Sequence, residues 1–209
     1  MSWLARYPNA SAQARASESQ DFRAVTVTAG LEYPWGLAFL PDGRKLVTER
    51  PGRLRLVGAD GRLDPQAIAG IPPVVAINQG GLLDVALHPD FVHNGWVYLS
   101  YAGAGEDGYG TEVLRGRLAG HTLREVEIIF RMQPKSSTSH HFGSRLVFDR
   151  GGFLYITLGE RGDMDRAQRL DDHAGSVIRL HDDGRVPADN PFAGKIGRAS
   201  CRERVSSPV

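Results

Sequence analysis

The chain has a single cysteine, Cys201, among 209 residues. That cysteine sits in a C-terminal tail read below as foreign, so the chain offers neither a disulfide framework nor a thiol nucleophile. Redox usage therefore fixes no compartment. Long apolar runs are also missing: no stretch approaches the roughly eighteen consecutive apolar residues a membrane-spanning helix requires. An excess of one charge is lacking too, with 25 basic against 24 acidic residues, which removes electrostatic grounds for a nucleic-acid partner. Helical periodicity is scarce. Gly103-Ala104-Gly105 precedes no helical pattern and so forms no dinucleotide loop. His88, His93 and His121 fall on separate turns without metal-ligand spacing. Asp163, Asp165, Asp171 and Asp172 lack the glycine and terminal glutamate of a calcium loop, and read as a solvated loop.

What is present is a succession of short runs of branched and aromatic residues punctuated by Gly, Pro, Asp and Asn. Candidate strands fall at 23–29, 36–40, 45–50, 53–58, 82–87, 96–102, 112–118, 127–132, 144–149, 153–159 and 176–181. This pattern predicts an all-β chain. Pro41-Asp42-Gly43, Pro89-Asp90 and Asp149-Arg150-Gly151 each follow an apolar strand and precede another, 48 and 59 residues apart by their aspartates. About four strands recurring every 40 to 60 residues is the signature of a β-propeller, and the chain holds about three blades. A propeller closes with four to eight, so three leave sheet faces uncovered; a sandwich is the alternative architecture. Trp35 and Trp96 stand in strand contexts and read as packing residues.

Two ends stand apart from this pattern. Residues 1–21 are polar, contain Pro8 and lack an apolar signal core, which predicts a disordered leader or a misassigned start. At the other end the alternation stops at Phe192, and KIGRASCRERV has no period. Its back-translation resembles a short-read library adapter, so residues 195–209 are expected to be non-native and 22–194 to be the partial propeller. Without the four basic and one acidic residues of that tail, the balance becomes 21 basic to 23 acidic.

The chemistry concentrates at His140 and His141, which open the run HHFGSRLVFDRGGFLYITLGE, and at Glu160, which closes it. A strand, a turn and a returning strand bring residues about nineteen apart side by side. An imidazole held by a carboxylate is a general base with its orienting partner. Glu160 has two other candidate partners, Arg161 and Arg166 at the surface.

Four motifs, LEYPWGLAFLPDGRKLVTERPGRLRLV, INQGGLLDVALHPDF followed by WVYLSYA, HHFGSRLVFDRGGFLYITLGERGD, and HAGSVIRLHDDGRVPADNPF, together resemble the soluble PQQ-dependent sugar dehydrogenases, most closely their aldose sugar dehydrogenase branch. The resemblance runs from about residue 22 to 193. It implies a six-bladed propeller holding pyrroloquinoline quinone and Ca²⁺, an aldose oxidised at its anomeric carbon, an external electron acceptor, and a periplasmic or secreted location. His141 matches the family's catalytic histidine and Glu160 the acid that orients it, a position often Asp in glucose-oxidising members. Gln79, in the Asn-Gln-Gly-Gly turn, matches a polar residue at the sugar and cofactor site, or else caps its turn. Gly80 and Gly81 would let backbone approach closely. His140 stands where the family usually has Asn or Asp, and either touches sugar or lines the mouth. The Gly-His-Arg-Asn-like segment that grips the quinone, and the Ca²⁺ ligands, do not occur here, so the isolated chain is expected to be inactive. A non-catalytic propeller binding a protein or carbohydrate, and an oxidase of sorbosone-type aldehydes, are the alternative functions.

Overall fold

The computed structural model describes residues 14–15 and 22–192. The tail with Cys201 and nearly all of the expected leader lie outside the described residues. Strands β1 (Ala14–Arg15) and β2 (Phe22–Arg23) form a two-residue antiparallel pair. Three antiparallel sheets follow in chain order. The first holds β3 (Pro34–Phe39), β4 (Lys45–Glu49) and β5 (Arg53–Val57); the second β6 (Leu82–Leu87), β7 (Trp96–Gly105), β8 (Gly108–Ala119) and β9 (Thr122–Arg131); the third β10 (Gly143–Phe148), β11 (Leu154–Leu158) and β12 (Val177–Leu180). Each sheet is a simple meander, and β6 packs against both β3 and β10. These are three blades of a propeller, with β3, β6 and β10 innermost. A fourth strand in the first blade is reduced to two bridges onto β5, at Leu63 and Ile68.

The expected strand at 23–29 does not form beyond Arg23. The segment has the right branched residues, but among the described residues it finds no strand edge to pair with and crosses the turn at Gly61 instead. Val25 and Val27 are left exposed.

Alternation along each strand sends side chains to opposite faces, and the second blade uses both. Val97, Leu99 and Leu114 meet Leu46, Leu54 and Leu56 of the first blade, while Tyr98, Val113 and Phe130 meet Leu146, Ile156 and Ile178 of the third. Each such side chain, fully buried, stabilises by about 1.5–3 kcal/mol. The outer faces of the stack lack that cover. Leu37, Val85 and Leu146 hold the same place in successive blades, opposite Val47, Leu99 and Ile156. Val85 and Leu146 are each 5% exposed, yet Leu37 is 52% exposed. On the other side Val147 is 54% exposed where its counterpart Ala38 is 9%.

The inner strands share a second device. Each carries a bulge near its start, between Pro34 and Leu37, Leu82 and Val85, and Gly143 and Leu146. A bulge places two residues opposite one and leaves an amide without its ladder partner. Here a hydroxyl from the next strand accepts each: Gly36 N–H donates to Thr48 Oγ1 at 2.8 Å, Asp84 N–H to Ser100 Oγ at 2.9 Å, and Arg145 N–H to Thr157 Oγ1 at 3.0 Å. The first two hydroxyls then donate into the following blade, Thr48 to the Leu83 carbonyl and Ser100 to the Ser144 carbonyl at 2.7 Å. Asp84 adds a carboxylate bridge to the third blade, accepting from Leu146 N–H and Arg145 Nη1, each at 2.8 Å. Burial pushes this carboxyl above its ordinary range despite those bonds.

Candidate active site

His141 lies just before the bulge of β10, and Glu160 just after the end of β11. Gly143 pairs with Leu158 across these strands, so the two side chains emerge together at one end of the third blade. His141 Nδ1 bonds Glu160 Oε1, as the hairpin argument required. The carboxylate also accepts from Gly162 N–H at 3.1 Å. Burial pushes the Glu160 carboxyl upward, but the hydrogen bonds from His141 and from backbone amides outweigh it and hold the group below its ordinary value. The carboxylate thus stays charged beside the ring. The His141 side chain is half exposed, leaving its outer edge open.

Gln79 reaches the same place from the segment between the first two blades. Its side-chain carbonyl accepts from His141 N–H at 2.8 Å, and its own N–H donates to the Ser139 carbonyl at 3.1 Å. Asn78 Nδ2 donates to Ser139 Oγ at 3.2 Å, and Arg50 donates to the Asn78 carbonyl. Gln79 therefore ties its turn to the histidine loop rather than capping the turn upon itself. The glycines beside it serve the protein's own backbone. A Cβ on Gly80 would stand 2.9 Å from the Phe142 ring, and one on Gly81, at φ 146°, would collide with the Arg50 carbonyl.

His140 is half-buried, its ring edge-on to that of His141 with centroids 4.6 Å apart. Its Nε2 occupies the space a side chain at Gly162 would fill, and Gly159 likewise leaves room for the His141 carbonyl. The Gly-Glu-Arg-Gly run is thereby explained: the glycines flank Glu160 because both histidines lie against its backbone.

Neither arginine pairs with Glu160. Arg166 pairs with Asp172, its Nε at 2.8 Å and Nη2 at 3.1 Å from the carboxylate, and Asp172 is fully buried. Asp163 caps the short 3₁₀ helix Met164–Gln168 by accepting from Asp165 N–H. The acidic run is therefore not simply a solvated loop, because Arg166 draws Asp172 into the interior. Arg161, expected at the surface, is fully buried; burial, with Arg166 nearby, pushes its pKa down to about 10. Trp35 also departs from expectation. Trp96 packs between Arg115 and Arg117, each 4.4 Å from its ring centre, whereas Trp35 is partly exposed on the bulge of β3, under the Arg145 guanidinium at 4.8 Å. The sequence offered one signal for this, a tryptophan next to the bulge glycine Gly36.

A cleft of about 260 Å³ is lined by Trp35, Arg50, Gln79, Leu83, His141, Phe142 and Gly143. It offers an aromatic face, a guanidinium, an amide and an imidazole edge, a donor set that suits one side of a flat, anionic quinone and a hydroxyl-rich substrate. Among the described residues no three His, Cys, Asp or Glu side chains group to hold a metal ion.

Residues 31–202 match the model of the Glucose / Sorbosone dehydrogenase family. The chain belongs to this family. Aldose sugar dehydrogenase YliI of Escherichia coli is 46% identical over 171 residues, which cover 80% of this chain and 46% of that protein. Among solved structures, a glucose dehydrogenase superposes with TM-score 0.80 at 48% identity, covering 85% of this chain and 53% of its own. The PQQ-bound aldose sugar dehydrogenase of Streptomyces coelicolor superposes with TM-score 0.72 at 32% identity, covering 82% and 51%. The chain thus spans about half the length of the relatives it matches. No helix among the described residues is long and apolar enough to cross a membrane.

Proposed function

We propose that this chain supplies the acid–base half of a sugar dehydrogenase that oxidises an aldose at its anomeric carbon. The observation that carries the reading is the His141–Glu160 bond, with the His141 main-chain N–H held by Gln79. With Nδ1 committed to the carboxylate, Nε2 is the nitrogen that receives the proton of the anomeric hydroxyl. Glu160, kept anionic, fixes the tautomer and stabilises the imidazolium that results, as a positioned base and its orienter do. Pyrroloquinoline quinone, when bound, supplies the acceptor for the hydride leaving the same carbon. Arg50 and Trp35 would offer it charge and a ring face, and the Gln79 amide N–H₂ would meet a sugar hydroxyl, while His140, outside the cleft lining, would support the His141 ring edge-on. Calcium and an external electron acceptor complete the proposal, and the family resemblance supports a periplasmic or secreted location. The 209 residues alone do not turn over on this reading. Supplied with the quinone, Ca²⁺ and glucose they should reduce no artificial acceptor, and steady reduction would overturn that point. In the complete quinone-loaded enzyme, His141→Ala should lower kcat by about 10²–10⁴-fold, the usual contribution of a positioned base. Unchanged turnover would remove His141 from the reaction.

A further inference from the structure

Arg161 is a fully buried cation with no carboxylate partner among the described residues. Its residue is fully buried, and among the described residues it enters no ion pair: Glu160 is committed to His141, and Asp172 to Arg166. A buried guanidinium is costly unless its donors are used. Here Nη1 donates to the His140 carbonyl and Nη2 to the Thr138 carbonyl, while the cation lies 3.6 Å from the centre of the Phe142 ring. Thr138 returns the bond, its hydroxyl donating to the Arg161 carbonyl at 2.7 Å. The Nε has no partner among the described residues. Arg161 itself has φ 63°, and His141, three residues after Thr138 and directly after His140, has φ 54°. Left-handed backbone at a residue with a side chain is strained and persists only where the surroundings over-determine it.

We propose that Arg161 is a positioning residue for His141, clamping the Thr138 and His140 carbonyls so that His141 is held in its left-handed conformation with its ring on Glu160. The inference rests on His141 being the base, but the clamp is a statement about geometry and is testable without turnover. Gln79 holds the loop from the outer side through the His141 N–H, and Arg161 from the inner side through the carbonyl just before it. The two restraints act on one peptide from opposite directions. No other described side chain is bonded to both carbonyls.

The test is amide hydrogen exchange and histidine-ring ¹⁵N spectra on the 209-residue chain. In Arg161→Met, exchange at the His141 amide should accelerate about tenfold or more, while Leu99 and Ile156 in the blade cores stay within about twofold, the pattern of local rather than global opening. The His141 ring should lose its single Nδ1-protonated tautomer. Arg161→Lys keeps the charge but not the fork, so its His141 amide should lie between wild type and Arg161→Met. Unchanged His141 exchange in Arg161→Met would overturn the proposal, and so would acceleration that is uniform across the blades. Should Arg161→Met not fold, Arg161→Lys decides: a His141 amide as protected as wild type sinks the clamp. Because nothing here depends on sugar or quinone, unchanged turnover of His141→Ala in the complete quinone-loaded enzyme, with a positive exchange result in this chain, would refute the functional reading alone.

Discussion

Replacing Thr48 by valine isolates the hydroxyl device that joins the first two blades. The substitution keeps shape and volume in a fully buried position, so no cavity opens. What disappears is one oxygen with two obligations: it accepts from Gly36 N–H at 2.8 Å and donates to the Leu83 carbonyl. Both backbone groups are then left buried without partners, at about 1–3 kcal/mol each. Strict addition overstates the sum because the carbonyl can relax, so a loss of about 2–4 kcal/mol is expected, a large share of the 5–15 kcal/mol available to a typical fold. Thr48→Ser is the control. It restores the hydroxyl and removes one methyl, worth about 0.8 kcal/mol. Urea denaturation should rank the proteins wild type, then Thr48→Ser, then Thr48→Val, with midpoints moving and slopes constant. If Thr48→Val proves as stable as Thr48→Ser, the hydroxyl does not satisfy the bulge and the reasoning fails.

Other consequences can be checked in the same protein. Leu37→Glu should cost less than about 1 kcal/mol, whereas Val85→Glu at the matching place in the next blade should cost about 3 kcal/mol or more, since only the second buries a carboxylate; equal losses would contradict the blade correspondence. Gly159→Ala should displace the His141 carbonyl and break the bond to Glu160, visible as a shifted His141 ring resonance, because a Cβ there collides with that carbonyl. Glu160 has a native pKa below its ordinary value of 4.5, so the folded state binds fewer protons, and the stability it contributes is present above about pH 4.5 and lost as pH falls through the lower native value. The gap between wild type and Glu160→Gln in denaturation midpoint should therefore narrow from pH 6 to pH 3, and a constant gap would show that the carboxylate charge is not what the native state uses.

Much of the fold was legible because turn chemistry and period-two alternation are local. Ten of the strands stand where the branched and aromatic runs predict them, and the aspartate turns mark the blade repeat. The segment at 23–29 has the same local signal and is not a strand, since pairing depends on an available edge that no local pattern encodes. The His141–Glu160 meeting was legible for the same reason as the strands: a hairpin register fixes it. Gln79 was placed near the site only through motif likeness, because its bond to His141 spans 62 residues of sequence. Arg161 and Asp172 were misread as surface groups. Charged residues next to glycine and aspartate look solvated in sequence, and their burial depends on carbonyls and partners presented by the 133–140 loop and the 3₁₀ helix.

The bulge hydroxyls also carry a sense of direction. Thr48 and Ser100 each accept within their own blade and donate forward, never back, and Thr157 repeats the accepting half on the last described blade. Such a chain of bonds is polar in the way a row of hooks and eyes is polar: each joining hydroxyl uses its acceptor on its own blade and its donor on the next. The direction from one blade to the next is thus marked by two side chains of the second strands, Thr48 and Ser100, in addition to the apolar surfaces that join the blades.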